Sequence, residues 1–372
     1  MEHIYAIWLL AIAGPGNRHS PALCEYFGSF EEIYAASRKE YENSGILNEK
    51  QIDKLTNKDL GHAEEIAGKC ETLGIDIITC YDVKYPSVLK NIPDFPILLF
   101  VQGTLPDSNS LCIGVVGSRR PSIYGTRMAE NIACDLGSAG AVIISGMARG
   151  IDTCAHKGAL KAGAKTVAVL GCGLDIAYPP ENKSLKELIS QDGAVISEFL
   201  PSTPPLPPHF PMRNRIISGM SDAILIVEGK ATSGSTITAN LAKEQGREVF
   251  CLPGNADNPM SAAPNQLIRE GARLVTCAQD ILIDMAADNP EHIVETIYGD
   301  SAREANKTAK LNGLTLDQRK IAGVLDCSIP MHVDKICFST GIEIAVVNQC
   351  LFMMELDGIV KQLPGKQYIL CL

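Results

Sequence analysis

The sequence predicts an α/β protein with a central doubly wound, mostly parallel β-sheet. A small all-helical domain precedes the sheet and a winged-helix-like domain follows it. Three observations predict this arrangement. From residue 111, short runs of uniformly apolar residues alternate with segments of helical periodicity, whereas residues 1–75 show helical periodicity alone. Residues 313–372 show the pattern of three helices and a hairpin. Uniformly apolar strands joined by helices indicate a parallel sheet covered on both faces.

The N-terminal domain, residues 1–75, begins with the apolar run IYAIWLLAIAG, followed by Gly14-Pro15-Gly16 and the helical stretch PALCEYFGSFEEIYAAS. The apolar run is too short to span a bilayer and lacks the basic start of a signal peptide, so we expect a core helix. Helix, turn and helix fit a SAM or helix-hairpin-helix module that holds nucleic-acid backbones. They also fit a tight turn in a helical bundle, which we favour because glycine and proline mark turns of every kind.

The central domain, residues 80–285, contains the alternating pattern. Its predicted strands are LCIGVVGS, AVIISG, TVAVLG, AVISEF, AILIVE, EVFCLPG and ARLVT, and its predicted helices span 124–138, 152–162, 181–191, 213–220, 236–246 and 261–271. In such a sheet, ligands bind at the carboxyl ends of the strands.

The C-terminal part begins with a polar linker, residues 286–312, and the predicted hairpin of the winged-helix-like domain turns at Pro364-Gly365. The third predicted helix of this domain, GIEIAVVNQCLFMMELDG, contains no lysine or arginine. A recognition helix in a DNA groove should be polar and basic. We therefore expect the domain to contact protein partners or to contribute to dimer architecture.

The composition limits the possible functions. With 33 Lys and Arg against 43 Asp and Glu, the net charge is −10, which argues against a protein that coats nucleic acid by bulk charge. The segment 111–285 is nevertheless neutral, with 16 basic and 16 acidic residues, so it could hold a local basic cleft. The 13 cysteines and seven histidines lack metal-ligand spacing. We predict no metal, no cofactor, and reduced cysteines in a cytoplasmic protein.

Five glycine-rich loops that follow predicted strands should open onto one cleft, because the carboxyl ends of parallel strands share one edge of the sheet. Glycine allows a ligand to approach the backbone closely, and the N–H groups of the following helix then point at an anion. The sequence therefore favours a phosphate-bearing ligand. The loops are Gly117–Arg120, Gly146–Asp152, Gly171–Lys183, Lys230–Thr236 and Pro253–Asn255.

The fourth loop, GKATSGST, has the glycine spacing of an ATP-binding P-loop, but Ser235 replaces the lysine. The only carboxylate near this loop is Glu228, so ATP hydrolysis is disfavoured. The first loop lacks the dinucleotide pattern G-x-G-x-x-G. Asp152 and His156 could suggest acid–base catalysis, but we interpret Asp152 as a helix N-cap and His156 as a structural residue on the same helix.

Together these segments resemble the DprA/Smf family of DNA-processing proteins, and the resemblance covers residues 80–285. The segments that carry it are DVKYPSVLKNIPDFPILLFVQG, GVVGSRRPSIYG, SGMARGIDTCAHKGAL, AVLGCGLDIAYPPENKSL, ISEF, FPMRNRIISGMSD, IVEGKATSGSTITA and GREVFCLPGN.

The resemblance implies a Rossmann-like domain and a non-enzymatic function. Members of this family bind single-stranded DNA without sequence preference during natural transformation, load the recombinase RecA onto it, and dimerise through the Rossmann-like domain. By motif position, the DNA site would contain Gly117, Ser118, Arg119, Gly146, Asn182, Lys183, Arg213, Asn214, Arg215, Ser233, Gly234, Ser235 and Thr236. One departure is Thr232, where the family often has a cationic residue.

Two enzymatic alternatives remain. Nucleoside monophosphate N-glycosidases of the same superfamily have a catalytic glutamate in the equivalent loop, where this chain has Ala239. An ATP-dependent helicase or loader is disfavoured by the missing lysine.

Overall fold

The computed structural model describes residues 2–288, 314–325, 330–356, 359–363 and 365–370. The chain forms two compact units, Met1–Val294 and Glu295–Leu372, so the predicted helical and α/β domains lie in one unit. The predicted linker lies outside the described residues except for 286–288, which belong to a helix.

The first unit begins with six helices, and local capping explains several of their starts. Ser37 and Glu40 form a capping box at the start of the fourth helix, and Asn48 and Gln51 form another at the fifth, so backbone N–H groups that helix ends leave unpaired find partners. The helices are α1 (Glu2–Ala13), α2 (His19–Phe27), α3 (Phe30–Ala35), α4 (Arg38–Ser44), α5 (Glu49–Leu55) and α6 (Gly61–Leu73).

A nine-stranded sheet forms the centre of the same unit, in the order β1-β2-β6-β5-β4-β3-β7-β8-β9. The strands from β3 onward are parallel, and β2 pairs antiparallel with both β1 and β6. The predicted doubly wound, mostly parallel sheet is therefore confirmed. The strands are β1 (Asp76–Thr79), β2 (Leu98–Gly103), β3 (Cys112–Val116), β4 (Val142–Ser145), β5 (Thr166–Val169), β6 (Ala194–Ser197), β7 (Ala223–Ile226), β8 (Glu248–Cys251) and β9 (Arg273–Leu274).

Helices on both faces cover the sheet, and β3, β4, β5, β6 and β7 are buried along their whole length. The helices are α7 (Ile123–Ser138), α8 (Ile151–Lys161), α9 (Lys183–Asp192), α10 (His209–Gly219), α11 (Gly234–Glu244), α12 (Ala262–Arg269) and α13 (Ala278–Asp288). Helix α10 begins four residues before the predicted start at 213. Pro211 lies in its first turn. Backbone N–H groups in this turn have no acceptor within the helix, so a proline there breaks no hydrogen bond.

The direction of winding changes at β3, which has β4 on one side and β7 on the other. In open α/β sheets, a crevice forms outside the carboxyl ends of the strands at this point.

The second unit contains the predicted three helices and hairpin, with one additional short strand. Its helices are α14 (Leu316–Val324), α15 (Val333–Thr340) and α16 (Ile344–Leu356), and its strands are β10 (Met331–His332), β11 (Val360–Leu363) and β12 (Gln367–Leu370). The antiparallel sheet has the order β10-β12-β11. Ile321, Ile336 and Val347 are fully buried in its core. Pro364 of the predicted turn lies outside the described residues.

Within the described ranges, no helix on its own is long and apolar enough to cross a bilayer; the pair Val333–Thr340 and Ile344–Glu355, bent by 112°, meets these criteria only jointly.

Candidate functional site

A cleft of about 600 Å³ lies at the change of direction beside β3. Its walls come from the loops after β3, β4, β5, β6 and β7, from the helices α10 and α11, and from Met260. Four of the five predicted loops therefore contribute, whereas Pro253–Asn255 is not in the wall. Eight of the residues predicted for the site line the cleft: Gly117, Ser118, Arg119, Arg213, Asn214, Ser233, Gly234 and Ser235.

The loop after β3 has a fixed backbone that presents Arg119. The Ser118 N–H donates to the Glu228 carbonyl at 2.8 Å, and the Ser118 carbonyl accepts the Ile151 N–H at 3.1 Å. A Cβ at Gly117 would lie 2.7 Å from Ile151 Cγ1 and 2.8 Å from the Glu228 carbonyl oxygen, so the position requires glycine. The Arg119 side chain is exposed at the end of this anchored turn.

Arg119 lies over an aromatic surface. Its Cζ is 4.9 Å from the centre of the Phe210 ring, in cation–π geometry. The ring of Tyr178 lies 5.6 Å from that of Phe210, and both rings line the cleft. A planar cation and two rings thus share one wall.

Arg213 supplies a buried charge. Its guanidinium donates to the carbonyl oxygens of Gly146, at 2.6 Å, and of Val169, which follow and end β4 and β5. A Cβ at Gly146 would lie 2.5 Å from Arg213 Nη2, so the guanidinium occupies the space that a side chain at residue 146 would need. Burial lowers the pKa of Arg213 to about 10, and Arg213 therefore stays charged at neutral pH.

Among the residues that the structure describes, Asp152 is the only carboxylate in the wall of the cleft, and it faces Arg213. Its Oδ2 accepts the N–H groups of Gly146 at 3.2 Å and Ala148 at 3.3 Å. The N-cap of α8 is Gly150, so the prediction that Asp152 caps this helix is wrong. Asp152 instead holds the preceding loop. Burial raises the pKa of Asp152 to about 6, although Arg213 and the two N–H groups act against this increase.

The loop after β7 brings hydroxyl groups to the start of α11. Ser233 Oγ lies 2.6 Å from Ser235 Oγ and 3.4 Å from Thr236 Oγ1. A Cβ at Gly229 would lie 2.4 Å from Ser235 Oγ, so the hydroxyls pack directly against the backbone of Gly229. In the described part of the chain, no side chain caps the N-terminus of α11, and the first N–H groups of a helix have no partner within it. Hydroxyls and N–H groups therefore face the cleft together.

The loop cations were only partly predicted. Among the described residues, Arg119, Arg120 and Lys230 have no ion-pair partner, and all three are exposed and line the cleft. Sequence reasoning did not select Arg120, Lys230, Tyr178 or Phe210. Two signals were available. Lys230 lies two residues before Thr232, which stands where the family often has a cation, and Tyr178 lies in the loop after β5. Phe210 lies in the first turn of α10, ahead of the predicted helix start at 213.

Other predicted residues do not line the cleft. Asn182 is buried and donates to the Met147 carbonyl at 2.9 Å and to Thr153 Oγ1 at 2.8 Å. Lys183 is exposed and lies outside the wall. Thr236 also lies outside the wall, but its hydroxyl contacts that of Ser233, which is in the wall. Gly146 lies beneath Arg213.

Arg215 points away from the cleft and is 4% exposed. It pairs with the buried carboxylate of Glu198, and its Nε lies 3.7 Å from Asp94 Oδ2. The Gly16 N–H of the Gly14–Gly16 turn also donates to Glu198, at 3.0 Å. This turn is therefore packed against the α/β domain.

Two further residues have structural contacts. His156 is fully buried and its Nδ1 lies 2.7 Å from Thr166 Oγ1; burial lowers the pKa of His156 to about 3, and Arg213 contributes to the decrease. Glu228 accepts the N–H and hydroxyl of Ser122 at the start of α7. Its carboxylate therefore does not reach into the cleft.

Two family models and several known proteins are similar to this chain. The family model of DNA recombination-mediator protein A matches residues 76–286, and the DprA winged helix domain matches residues 305–366. DNA processing protein DprA of Streptococcus pneumoniae is 46% identical over 200 residues, covering 54% of this chain and 71% of that protein. DprA of Bacillus subtilis is 40% identical over 220 residues, covering 59% and 74%.

Two solved structures are similar over most of their length. The X-ray structure of DprA from Streptococcus pneumoniae has a TM-score of 0.66 and 37% identity, and the match covers 75% of this chain and 97% of that one. DNA processing protein A of Helicobacter pylori, described for its single-stranded DNA binding mode, has a TM-score of 0.51 and 29% identity, covering 57% and 97%.

Proposed function

Because this chain belongs to the DprA/Smf family of DNA-processing proteins, we propose that its cleft binds single-stranded DNA without sequence preference. One observation carries the proposal: Arg119, Arg120 and Lys230, none with an ion-pair partner among the described residues, share the cleft with an uncapped helix start and an aromatic surface. The single-stranded DNA binding named for the Helicobacter pylori relative supports it.

The cleft suits a phosphodiester, which carries a single negative charge. Backbone N–H groups at the start of α11 and the hydroxyls of Ser233 and Ser235 can hold one phosphate. Arg119 and Lys230 add charge attraction, which supplies most sequence-independent affinity. Lys230 also compensates for Thr232, because a long side chain two residues earlier enters the same cleft.

Bases would stack on the Phe210 and Tyr178 rings. Stacking tolerates every base because each has a π-face, and it is typical of proteins that bind single strands. Unpaired bases are accessible to such rings, whereas bases in a duplex are not. The surface therefore favours single-stranded over double-stranded DNA.

The residues around the cleft hold a strand without cutting it. Ser235 stands at the P-loop lysine position, Ala239 is fully buried at the glutamate position of the N-glycosidases, and Glu228 binds Ser122. We propose that this protein has no catalytic step. Base release from AMP or CMP, or ATP hydrolysis with DNA present, would contradict this proposal.

In the cell, we propose that the protein loads RecA onto bound DNA during natural transformation and recombination, as the family name "recombination-mediator" suggests. We further propose a homodimer through the Rossmann-like domain in the cytoplasm. We keep the division into helical domain, 1–75, Rossmann-like domain, 80–285, linker, 286–312, and winged-helix-like domain, 313–372.

The test is a band-shift comparison of single- and double-stranded DNA, with and without RecA. We expect preference for single strands, and faster RecA assembly when the protein is present. Arg119→Ala should weaken binding on all sequences alike, whereas Arg38→Ala, which removes an equal charge from an exposed ion-pair cluster on α4, should not. Preference for duplex DNA, or equal losses in both variants, would overturn the proposal.

A further inference from the structure

Helix α16 of the second unit exposes a stripe without charged side chains. The stripe consists of Ile344, Ala345, Asn348, Gln349, Phe352 and Met353, all exposed. Ile344, Phe352 and Met353 are 49%, 62% and 46% exposed. Residues at spacings of one, four, five, eight and nine share one face of a helix.

The opposite face of α16 holds the helix in its own domain. Val347, Leu351 and Met354 are fully buried in the core of the second unit. The stripe is therefore not needed for folding of this unit, and its large apolar side chains require another explanation.

The stripe does not suit DNA. Helix α16 contains no lysine or arginine, so it offers no charge for phosphates. Glu343 precedes the helix, and the carboxylate of Glu355 near its end accepts the Gln362 N–H at 2.9 Å. The stripe therefore matches a protein surface without strong charge better than it matches DNA.

The order of residues in the stripe is complementary to itself in the reverse direction. Two antiparallel copies related by a two-fold axis between residues 348 and 349 place Ile344 opposite Met353 and Ala345 opposite Phe352. The small alanine leaves room for the large ring. Asn348 then faces Gln349, and amides can pair because each has both a donor and an acceptor.

We propose that this stripe binds the same stripe of a second copy of the chain, as an antiparallel helix pair around a two-fold axis. Two-fold contacts require one surface to match itself, and the order of side chains in the stripe meets this condition. An uncharged surface also avoids the like-charge repulsion that a charged surface would have with its own copy.

The contact would be weak alone. Ten residues of helix extend roughly 15 Å, so the buried area falls below that of a standard stable interface. Such a contact becomes effective when another interface already holds two copies together, because the second association is then intramolecular. The stripe would thus connect or reinforce assemblies formed through the first unit.

The experiment is sedimentation of the full chain over a wide range of concentrations. We expect an association step in the wild type that Phe352→Glu and Ala345→Lys each weaken on the order of 100-fold, because each buries an unpaired charge. An equimolar mixture of the two variants should regain the step. In the mixed pair, the introduced carboxylate faces the introduced ammonium.

Leu316→Glu is the matched control, since Leu316 is 79% exposed on α14 and lies outside the stripe. It should sediment like the wild type, and all variants should keep the wild-type unfolding midpoint and DNA affinity. Unchanged sedimentation of Phe352→Glu would overturn the proposal. So would loss in both variants without recovery on mixing, which would mean that the stripe contacts another part of the chain or another protein.

Discussion

Replacing Arg215 with alanine separates stability from DNA binding. Arg215 and its partner Glu198 are both 4% exposed, and no other cation is paired with Glu198 among the described residues. The substitution leaves a buried carboxylate that retains only the Gly16 N–H as a partner. Removing one member of a buried ion pair destabilises a protein by about 3–5 kcal/mol. We expect a loss of this size in the free energy of unfolding.

The loss should depend on pH. Burial already raises the pKa of Glu198, and without Arg215 it should rise further. An acid whose pKa is higher in the folded state stabilises the fold while protonated, and this contribution disappears as the pH rises through the folded pKa. The Arg215→Ala variant should therefore be least stable at alkaline pH and should recover part of its stability towards pH values of about 5.

Urea denaturation at several pH values measures this effect, and an unchanged m-value would show that the two-state comparison holds. Under conditions where the variant is folded, its affinity for single-stranded DNA should stay close to that of the wild type. Arg38→Ala, at an exposed ion pair, should leave unfolding unchanged. The reasoning fails if Arg215→Ala loses DNA affinity as Arg119→Ala does while its unfolding free energy changes by less than about 1 kcal/mol.

Four further predictions concern the cleft. Arg119→Ala should make the negative slope of log affinity against log salt shallower by about 0.7, and an unchanged slope would show that Arg119 contacts no phosphate. Phe210→Ala should cost about 1–3 kcal/mol of affinity on every single strand tested by fluorescence anisotropy; a loss confined to one sequence would contradict stacking. Thr232→Lys should tighten binding to single strands, because it adds a cation to the wall of the cleft, and weaker binding would exclude a phosphate nearby. Affinity should increase as the pH falls through about 6, where Asp152 becomes neutral, and this increase should be absent in Asp152→Asn.

Strands β3 to β8 could be predicted because burial on both faces makes each a continuous apolar run. Strands β1 and β2 were not predicted as part of the sheet. They lie among prolines and short turns, and their antiparallel pairing with the sheet edge depends on contacts distant in sequence. The start of α10 was also predicted too late, because Pro211 precedes the predicted start although proline is compatible with the first turn of a helix.

Within the site, the glycine pattern selected the loops Gly117–Arg120 and Lys230–Thr236, and the resemblance to the DprA/Smf family selected Ser118, Arg119 and Ser235 within them. Arg213 and Arg215 are two residues apart, a spacing that places them on different sides of a helix, but the spacing does not show which side faces the cleft. That distinction depends on Glu198 and on the docking of the N-terminal turn. The contact between Phe210 and Tyr178 likewise depends on where the start of α10 and the loop after β5 meet.

The packing of Arg213 against Gly146 has a consequence for mutational tolerance. The position of the Arg213 charge depends on two residues, Arg213 and Gly146, which are 67 residues apart in the sequence. Any side chain at Gly146 would displace the guanidinium. In a saturation screen for loss of DNA binding, Gly146 should tolerate as few substitutions as Arg213, although it supplies no functional group. Second-site suppressors of Gly146→Ala should then be found among the loops that could offer Arg213 a new position.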